Sequence, residues 1–208
     1  MPRKPIIRSS EHFYHLTGRS NNKDFWYLSI AEVWDIMCDE LNQLQLAYKV
    51  EIANFVLMNN HFHLILKTPK VDIDKIMYEF MKHTTLKIQK SSGRINKVYG
   101  GRYKGCILLD RSYFFNAYKY VYLNPVRASI VKCPIDYPFS TLKYKVRNKK
   151  LKHLKFAQNP LGLSLVEEVK WIKDFFDQKE NENIRYGLSR SQFSWRKCRN
   201  TGRELKIG

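Results

Sequence analysis

Two histidines, His61 and His63, flank Phe62 inside an apolar stretch and are the side chains of this sequence best suited to chemistry. Successive residues of a β-strand point to opposite faces, so both imidazoles would emerge together while Phe62 enters the core. Two imidazoles on one face can bind a single divalent ion. The alternative is a partly exposed or hydrogen-bonded pair, because His-x-His on a strand is more often not a ligand set.

A second group of reactive side chains lies on a predicted helix that carries four tyrosines. A rotation of 100° per residue places Tyr120 and Asn124 on one face, with Asn116 a turn earlier on that face. Tyr118 and Tyr122 point elsewhere. A polar stripe on an otherwise apolar and aromatic helix is unusual for a packing face and fits a face turned toward a metal.

The elements that must position these residues follow from hydrophobic periodicity and from helix and turn signals. Ser29 and Glu32 form a capping box for the first helix. Pro125 removes a backbone donor and disfavours helical geometry at Asn124, so we expect the helix to break or kink there. The sequence predicts strands at 12–19, 50–57, 61–67 and 102–109, and helices at 29–46, at 72–91 and from about 110 onward.

This order, β-α-β-β-α-β-α, predicts an α+β fold: a ferredoxin-like (split βαβ) antiparallel sheet with helices on one face. From Lys143 to Lys155 there are seven basic residues and no acid, which indicates an exposed linker or a phosphate-contacting strap. Ser164 and Glu167 form another capping box. We therefore predict a catalytic domain at 1–142, a basic linker at 143–163 and a helical C-terminal extension at 164–208.

The charge of the chain indicates a polyanionic partner. Its 37 Lys and Arg residues outweigh 19 Asp and Glu residues, giving a formal net charge of +18. No stretch approaches the roughly 18 apolar residues of a membrane-spanning helix, and the N-terminus lacks the apolar region of a secretory signal. Four widely spaced cysteines suit a reducing compartment. We expect a soluble cytoplasmic protein that acts on nucleic acid.

Several motifs in order resemble the HUH single-tyrosine transposases, and most closely the REP-associated tyrosine transposases. The two that carry chemistry are His61-Phe62-His63 after Met58-Asn59-Asn60, and the segment from Tyr120 to Ala128. The resemblance covers about residues 1–145, although the family often has a proline where Asn59 stands. The other similar segments are 1–5, 14–22, 101–104 and 137–141.

The resemblance implies a role for each candidate residue. His61 and His63 would bind a divalent metal, Mg²⁺ or Mn²⁺, Tyr120 would be the nucleophile, and Asn124 would complete the metal site. Candidates for contacts with the DNA backbone are Arg19, Arg102, Lys104 and Arg127, each of which could equally be an ordinary solvated cation. His12, His15 and His83 belong to no motif and are expected to be structural.

The function so implied is a metal-dependent endonuclease and strand transferase that cleaves single-stranded DNA beside hairpins and forms a 5′-phosphotyrosine. By the same resemblance a monomer is preferred over a homodimer. Two alternatives remain from the residues themselves. One is a non-catalytic single-strand RNA or DNA-binding module that stacks bases on sheet aromatics such as Phe13, Phe62 or Tyr103. The other is a metal phosphodiesterase that uses water as its nucleophile.

Overall fold

In the computed structural model, the residues whose structure is described are 6–70, 72–149, 151, 154–157, 160–197 and 204. The strands are β1 (Phe13–Arg19), β2 (Glu51–Leu57), β3 (His61–Lys67) and β4 (Lys104–Leu108). The helices are α1 (Ile30–Tyr48), α2 (Ile73–Ser92), α3 (Arg111–Arg127), α4 (Thr141–Val146), α5 (Leu165–Lys173) and α6 (Gln178–Leu188).

The four strands form one antiparallel sheet in the order β2-β3-β1-β4. Because β3 lies between β1 and β2, the connection through α1 crosses over a strand, as the split βαβ arrangement requires. The predicted α+β fold class is confirmed. The boundaries differ by a few residues at most, and the fourth strand is shorter than predicted because its first residues form a bend instead.

One face of the sheet packs against α1 and α2. Strand residues such as Leu16, Phe62 and Leu64 are fully buried there against Met37 and Phe80 of the two helices. Apolar residues recur at every second position of the strands, and every second side chain of a strand points to the same face of the sheet. The capping box of Ser29 and Glu32 forms at the start of α1 as predicted.

The opposite face is covered as well, which corrects the expectation of helices on one face only. There α3 packs on a second apolar cluster that includes Val56, Ile65 and Cys106 of the strands. The expectation was wrong because the split βαβ arrangement fixes the side of its two crossover helices and does not fix the side of α3. The strands alternate apolar residues on both faces, and the second apolar face also requires cover.

The C-terminal helices α5 and α6 pack on α3 and belong to the same cluster. The Tyr118 hydroxyl donates to Glu168 of α5 at 2.6 Å, and Lys145 of α4 pairs with the same carboxylate at 2.8 Å. Residues 191–193 bond to β4: Ile107 donates to the carbonyl of residue 191 at 3.0 Å, and its own carbonyl accepts from residue 193 at 3.2 Å. The C-terminal extension is thus anchored to α3 and to the edge strand β4.

The predicted basic linker, 143–163, begins inside α4. Its Leu151 and Leu154 are buried in the apolar cluster between the sheet and helices α1 and α2. Residues 150, 152, 153, 158 and 159 of this segment lie outside the described part of the structure. Within the described residues no helix has the length and apolarity needed to cross a lipid bilayer.

Candidate active site

The two central strands bring three histidines to one face of the sheet. His61 and His63 leave β3 on the face that α3 covers, and their ring centroids are 5.1 Å apart. Phe62 between them is fully buried on the opposite face. The antiparallel register pairs Thr17 of β1 with His63, so His15 and Arg19 reach the same face from the neighbouring strand.

Hydrogen bonds fix the orientation of both motif imidazoles. His61 Nδ1 lies 2.7 Å from Asn60 Oδ1, and His63 Nδ1 lies 2.9 Å from Nε2 of His15. With each Nδ1 acting as donor, Nε2 of each ring keeps its lone pair. A partner on the second ring nitrogen is the usual arrangement of a metal-ligating histidine, because it fixes tautomer and ring orientation.

Burial keeps these imidazoles neutral. It lowers the pKa of His61 to about 4, with help from the positive charge of Arg19. Burial also lowers the pKa of His63 well below 6.5, and the neighbouring His15, His61 and Arg127 act in the same direction. A metal ligand must be unprotonated, so both rings are in the required state at neutral pH.

Helix α3 brings Tyr120 over the histidines. The helix begins at the Asp110 cap, whose carboxylate accepts from the Ser112 amide at 2.7 Å. Tyr120 is 6 % exposed, and its ring lies edge-on to His63 and His15, with centroid separations of 6.1 and 6.5 Å. The phenol and the imidazoles therefore share one site.

The neighbouring tyrosines of α3 are engaged elsewhere. The Tyr118 hydroxyl bonds to Glu168, and the Tyr122 hydroxyl lies 3.0 Å from Thr141 Oγ1. The ring of Tyr113 packs on Phe193, with the two centroids 4.6 Å apart. As helical geometry predicted, Tyr118 and Tyr122 point away from the face of Tyr120, and Tyr120 is the tyrosine of α3 whose ring contacts the histidines.

Of the break or kink expected at Asn124, the break is wrong, because α3 continues through Pro125 to Arg127. Pro125 has no amide hydrogen to donate to the Val121 carbonyl. The Asn124 side chain partly replaces that donor: its Nδ2 lies 3.4 Å from the Val121 carbonyl and 2.8 Å from that of Tyr120. With Nδ2 donating to the helix, Oδ1 is the atom that Asn124 can offer to the site.

The third member of the predicted polar stripe, Asn116, does not reach the site. Its side chain donates to the Ser112 carbonyl at 2.9 Å, and it is not among the residues that line the cavity around Tyr120. The shared helical face is correct, but Asn116 lies one turn too far toward the start of α3.

All four predicted DNA-binding residues line the same cavity, which has a volume of about 800 Å³. The Arg127 guanidinium lies 4.6 Å from the centroid of the Tyr120 ring, in cation–π contact. Arg19 ends β1 beside His61, and Lys104 begins β4. Arg102 also lines the cavity, although it is ion-paired with Asp74.

The structure adds residues that the sequence patterns did not reveal. His15, expected to be structural, lies in the cavity with burial lowering its pKa to about 4. Arg185, Leu188 and Ser189 of the C-terminal extension form another part of the wall. Nothing in the sequence indicated that His15, rather than His12 or His83, belongs to the site. Its approach to His63 depends on the register of β1 against β3.

The donor set fits a divalent ion that shares its coordination with substrate. With His63 Nδ1 donating to His15, two neutral imidazole Nε2 atoms and the Asn124 Oδ1 are available in one cavity. Across the described ranges no group of three or more His, Cys, Asp and Glu side chains is placed to hold a metal ion. An ion held by the two imidazoles and the amide oxygen alone would have further positions for phosphate or water, as catalytic sites require.

Comparisons with known proteins show which family and fold the chain is similar to. The family described as "Transposase IS200 like" matches residues 9–131 of the sequence. A solved structure of a REP-associated tyrosine transposase bound to a REP hairpin is similar in fold, with a TM-score of 0.61 and 18 % identity over 76 % of this chain and 96 % of that one.

A second solved structure, from Deinococcus radiodurans R1 and described as a transposase, covers 73 % of this chain and 98 % of its own. Its TM-score is 0.38 and its identity 15 %. No curated protein sequence matches the chain.

Proposed function

The chain belongs to the IS200-like transposase family, and from that premise we propose that it is a metal-dependent single-stranded DNA endonuclease and strand transferase. In this proposal Tyr120 is the nucleophile, His61, His63 and Asn124 hold the metal, and the substrate site lies beside a DNA hairpin. The observation that carries the proposal is the edge-on approach of the Tyr120 ring to His63, at 6.1 Å between centroids, within one cationic cavity.

The chemical step is a transesterification at phosphorus. The Tyr120 hydroxyl gives its proton to solvent, its oxygen forms a bond to phosphorus, and the bond from phosphorus to the 3′ oxygen breaks. The 3′ oxygen takes up a proton, leaving a 5′-phosphotyrosine and a free 3′-hydroxyl. The number of phosphoester bonds is unchanged, so a 3′-hydroxyl of another strand can reverse the step and join DNA without ATP.

An ordinary phenol, which loses its proton only near pH ~10, is a weak nucleophile at neutral pH and requires a positive environment to react as phenolate. Arg127 lies on the face of the Tyr120 ring and provides one such charge. A bound Mg²⁺ or Mn²⁺ would supply Lewis acidity and a template for the phosphate oxygens. His61, His63 and Asn124 would hold it through Nε2 and Oδ1, the atoms left available by their hydrogen bonds.

The cations of the cavity support a polynucleotide substrate. Arg19, Lys104 and Arg127 line the cavity that also holds Tyr120, and Arg185 extends this cationic lining onto α6. Tyr120 lies on a helix packed over the sheet, in a recess that an unpaired strand can enter more easily than a duplex. The hairpin is proposed by analogy with the similar transposase structure, which is bound to a REP hairpin.

One chain supplies both the tyrosine and the imidazoles, which supports a monomer as the catalytic unit. The stacking module considered above is disfavoured by the packing of the sheet. Phe62 is fully buried and Tyr103 is 5 % exposed. With helices on both faces, these rings cannot serve as an open platform for bases.

The test is adduct formation on labelled single-stranded DNA that carries a hairpin, with Mn²⁺ present and a denaturing gel as readout. We expect a covalent adduct with the unaltered chain and none with Tyr120→Phe, which retains DNA binding. Tyr122→Phe is the matched control, since it removes a hydroxyl from the same helix outside the site.

His61→Ala should abolish cleavage while leaving binding in EDTA unchanged. Cleavage that persists in Tyr120→Phe without a covalent adduct would show that water is the nucleophile. An adduct that is lost in Tyr122→Phe but kept in Tyr120→Phe would show that the nucleophile is misassigned.

A further inference from the structure

A second concavity lies between α2 and residues 97–103 and has a volume of about 670 Å³. We call it the α2 groove. Its lining is mainly apolar and includes Met77, Tyr78, Met81, Leu86, Val98 and Tyr99. None of these residues has a role in the proposed transesterification.

The wall of the α2 groove exposes apolar surface. Tyr78 is 61 % exposed and Leu86 is 54 % exposed, whereas Met77 and Val98 below them are fully buried. An exposed tyrosine above an apolar floor is suited to planar apolar groups such as nucleobases, because every base has a π-face that can stack on an aromatic ring.

The rim of the groove is cationic. Lys82, Lys97 and Arg102 line it, and Lys82 Nζ lies 5.6 Å from the centroid of the Tyr78 ring. The acid that lines the groove, Asp74, is paired with Arg102 and also accepts from Tyr103 at 2.6 Å. Aromatic surface combined with backbone-tracking cations is the physical pattern of single-strand binding sites.

The segment 97–103 divides this groove from the cavity of Tyr120. Gly100 and Gly101 line that cavity, Val98 and Tyr99 line the α2 groove, and Arg102 lines both. A Cβ added to Gly101 would have nothing within 4 Å, so the backbone of the divider faces open space at this point. A strand crossing it would pass beside Arg102, whose charge Asp74 already balances.

We propose that the α2 groove binds unpaired bases of the same DNA strand whose scissile phosphate lies beside Tyr120, with Tyr78 stacking on a base. The inference rests on the proposed function, since it assigns the groove to that substrate. A second copy of the chain is a poorer occupant, because a net charge of +18 opposes association through a cationic rim.

The experiment compares two DNAs in EDTA, where no cleavage takes place: a hairpin alone and the same hairpin with a single-stranded arm. Binding is measured by fluorescence anisotropy with the full chain. We expect Tyr78→Ser to weaken binding of the armed hairpin about tenfold, within the range of one lost base stack. Binding of the bare hairpin should not change.

Ile95→Ser is the matched control, because Ile95 is 91 % exposed and does not line the groove. It should leave both affinities unchanged. An arm of abasic nucleotides provides a second measurement that involves no substitution. With the unaltered chain it should bind more weakly than the arm that carries bases, since it keeps the phosphates and lacks the bases. Tyr78→Ser should not weaken binding of the abasic arm further.

Equal effects of Tyr78→Ser on both DNAs, or no effect on either, would overturn the inference. The inference would also be overturned if Tyr78→Ser converted a dimer to a monomer in sedimentation while binding of the armed hairpin stayed unchanged. That result would assign the groove to a second copy of the chain. Failure of the proposed function looks different. It would be the absence of the Tyr120 adduct while the arm still strengthens binding.

Discussion

The salt dependence of DNA binding can be estimated from the cavity around Tyr120. Six cationic side chains line it: Arg19, Lys23, Arg102, Lys104, Arg127 and Arg185. Arg102 already pairs with Asp74, which leaves five to neutralise phosphates. For single strands the slope of log K against log salt is about −0.7 per phosphate, so five contacts give about −3.5. Affinity should then fall about a hundredfold between 50 and 200 mM salt.

Arg185→Gln isolates one contact from the rest of this cationic protein. The slope, measured by fluorescence anisotropy on a labelled single strand in EDTA, should become shallower by about 0.7. Arg190→Gln is the control, since Arg190 lies two residues past the end of the same helix and does not line the cavity. Its guanidinium lies 4.4 Å from the centroid of the Tyr186 ring. Equal slopes for Arg185→Gln and Arg190→Gln would refute the assignment of the cavity as the phosphate path.

Three further outcomes are expected. His15→Asn should weaken Mn²⁺ binding between ten- and a hundredfold in calorimetry of the DNA-free protein, because His63 loses the partner that orients it; unchanged affinity would contradict that role. The metal-free protein should lose stability as pH falls from about 6.5 toward 4, since unfolded His15 takes up a proton that the folded residue, with a pKa of about 4, refuses. The free energy of unfolding, measured with urea, should fall by up to about 3 kcal/mol over this range. A free energy of unfolding that does not change with pH would contradict this prediction. Gly18→Ala should lower the free energy of unfolding by about 2 kcal/mol in the same assay, because the new Cβ would lie 2.6 Å from the Phe62 ring. Gly101→Ala should leave it unchanged, since nothing lies within 4 Å of that Cβ. Equal losses in the two variants would refute the close packing of Gly18 on Phe62.

The fold was largely predictable because most of its signals are local. Alternation placed Phe62 and its flanking histidines on opposite faces of a strand, and the Ser29 capping box marked the start of α1. The continuation of α3 past Pro125 was not predictable, since it depends on how the Asn124 side chain replaces the missing backbone donor. The cover on the second sheet face was also missed, because it comes from helices outside the βαβ crossovers.

For the candidate site, the sequence by itself determined the reactive groups: the spacing of His61 and His63, and the helical face shared by Tyr120 and Asn124. Both follow from the fixed periods of strand and helix. Tertiary structure decided which groups meet. His15 reaches His63 through the register between two strands distant in sequence, and Arg185 enters the cavity because the C-terminal helices pack on α3. Such contacts depend on how separate elements pack against each other, which no local period specifies.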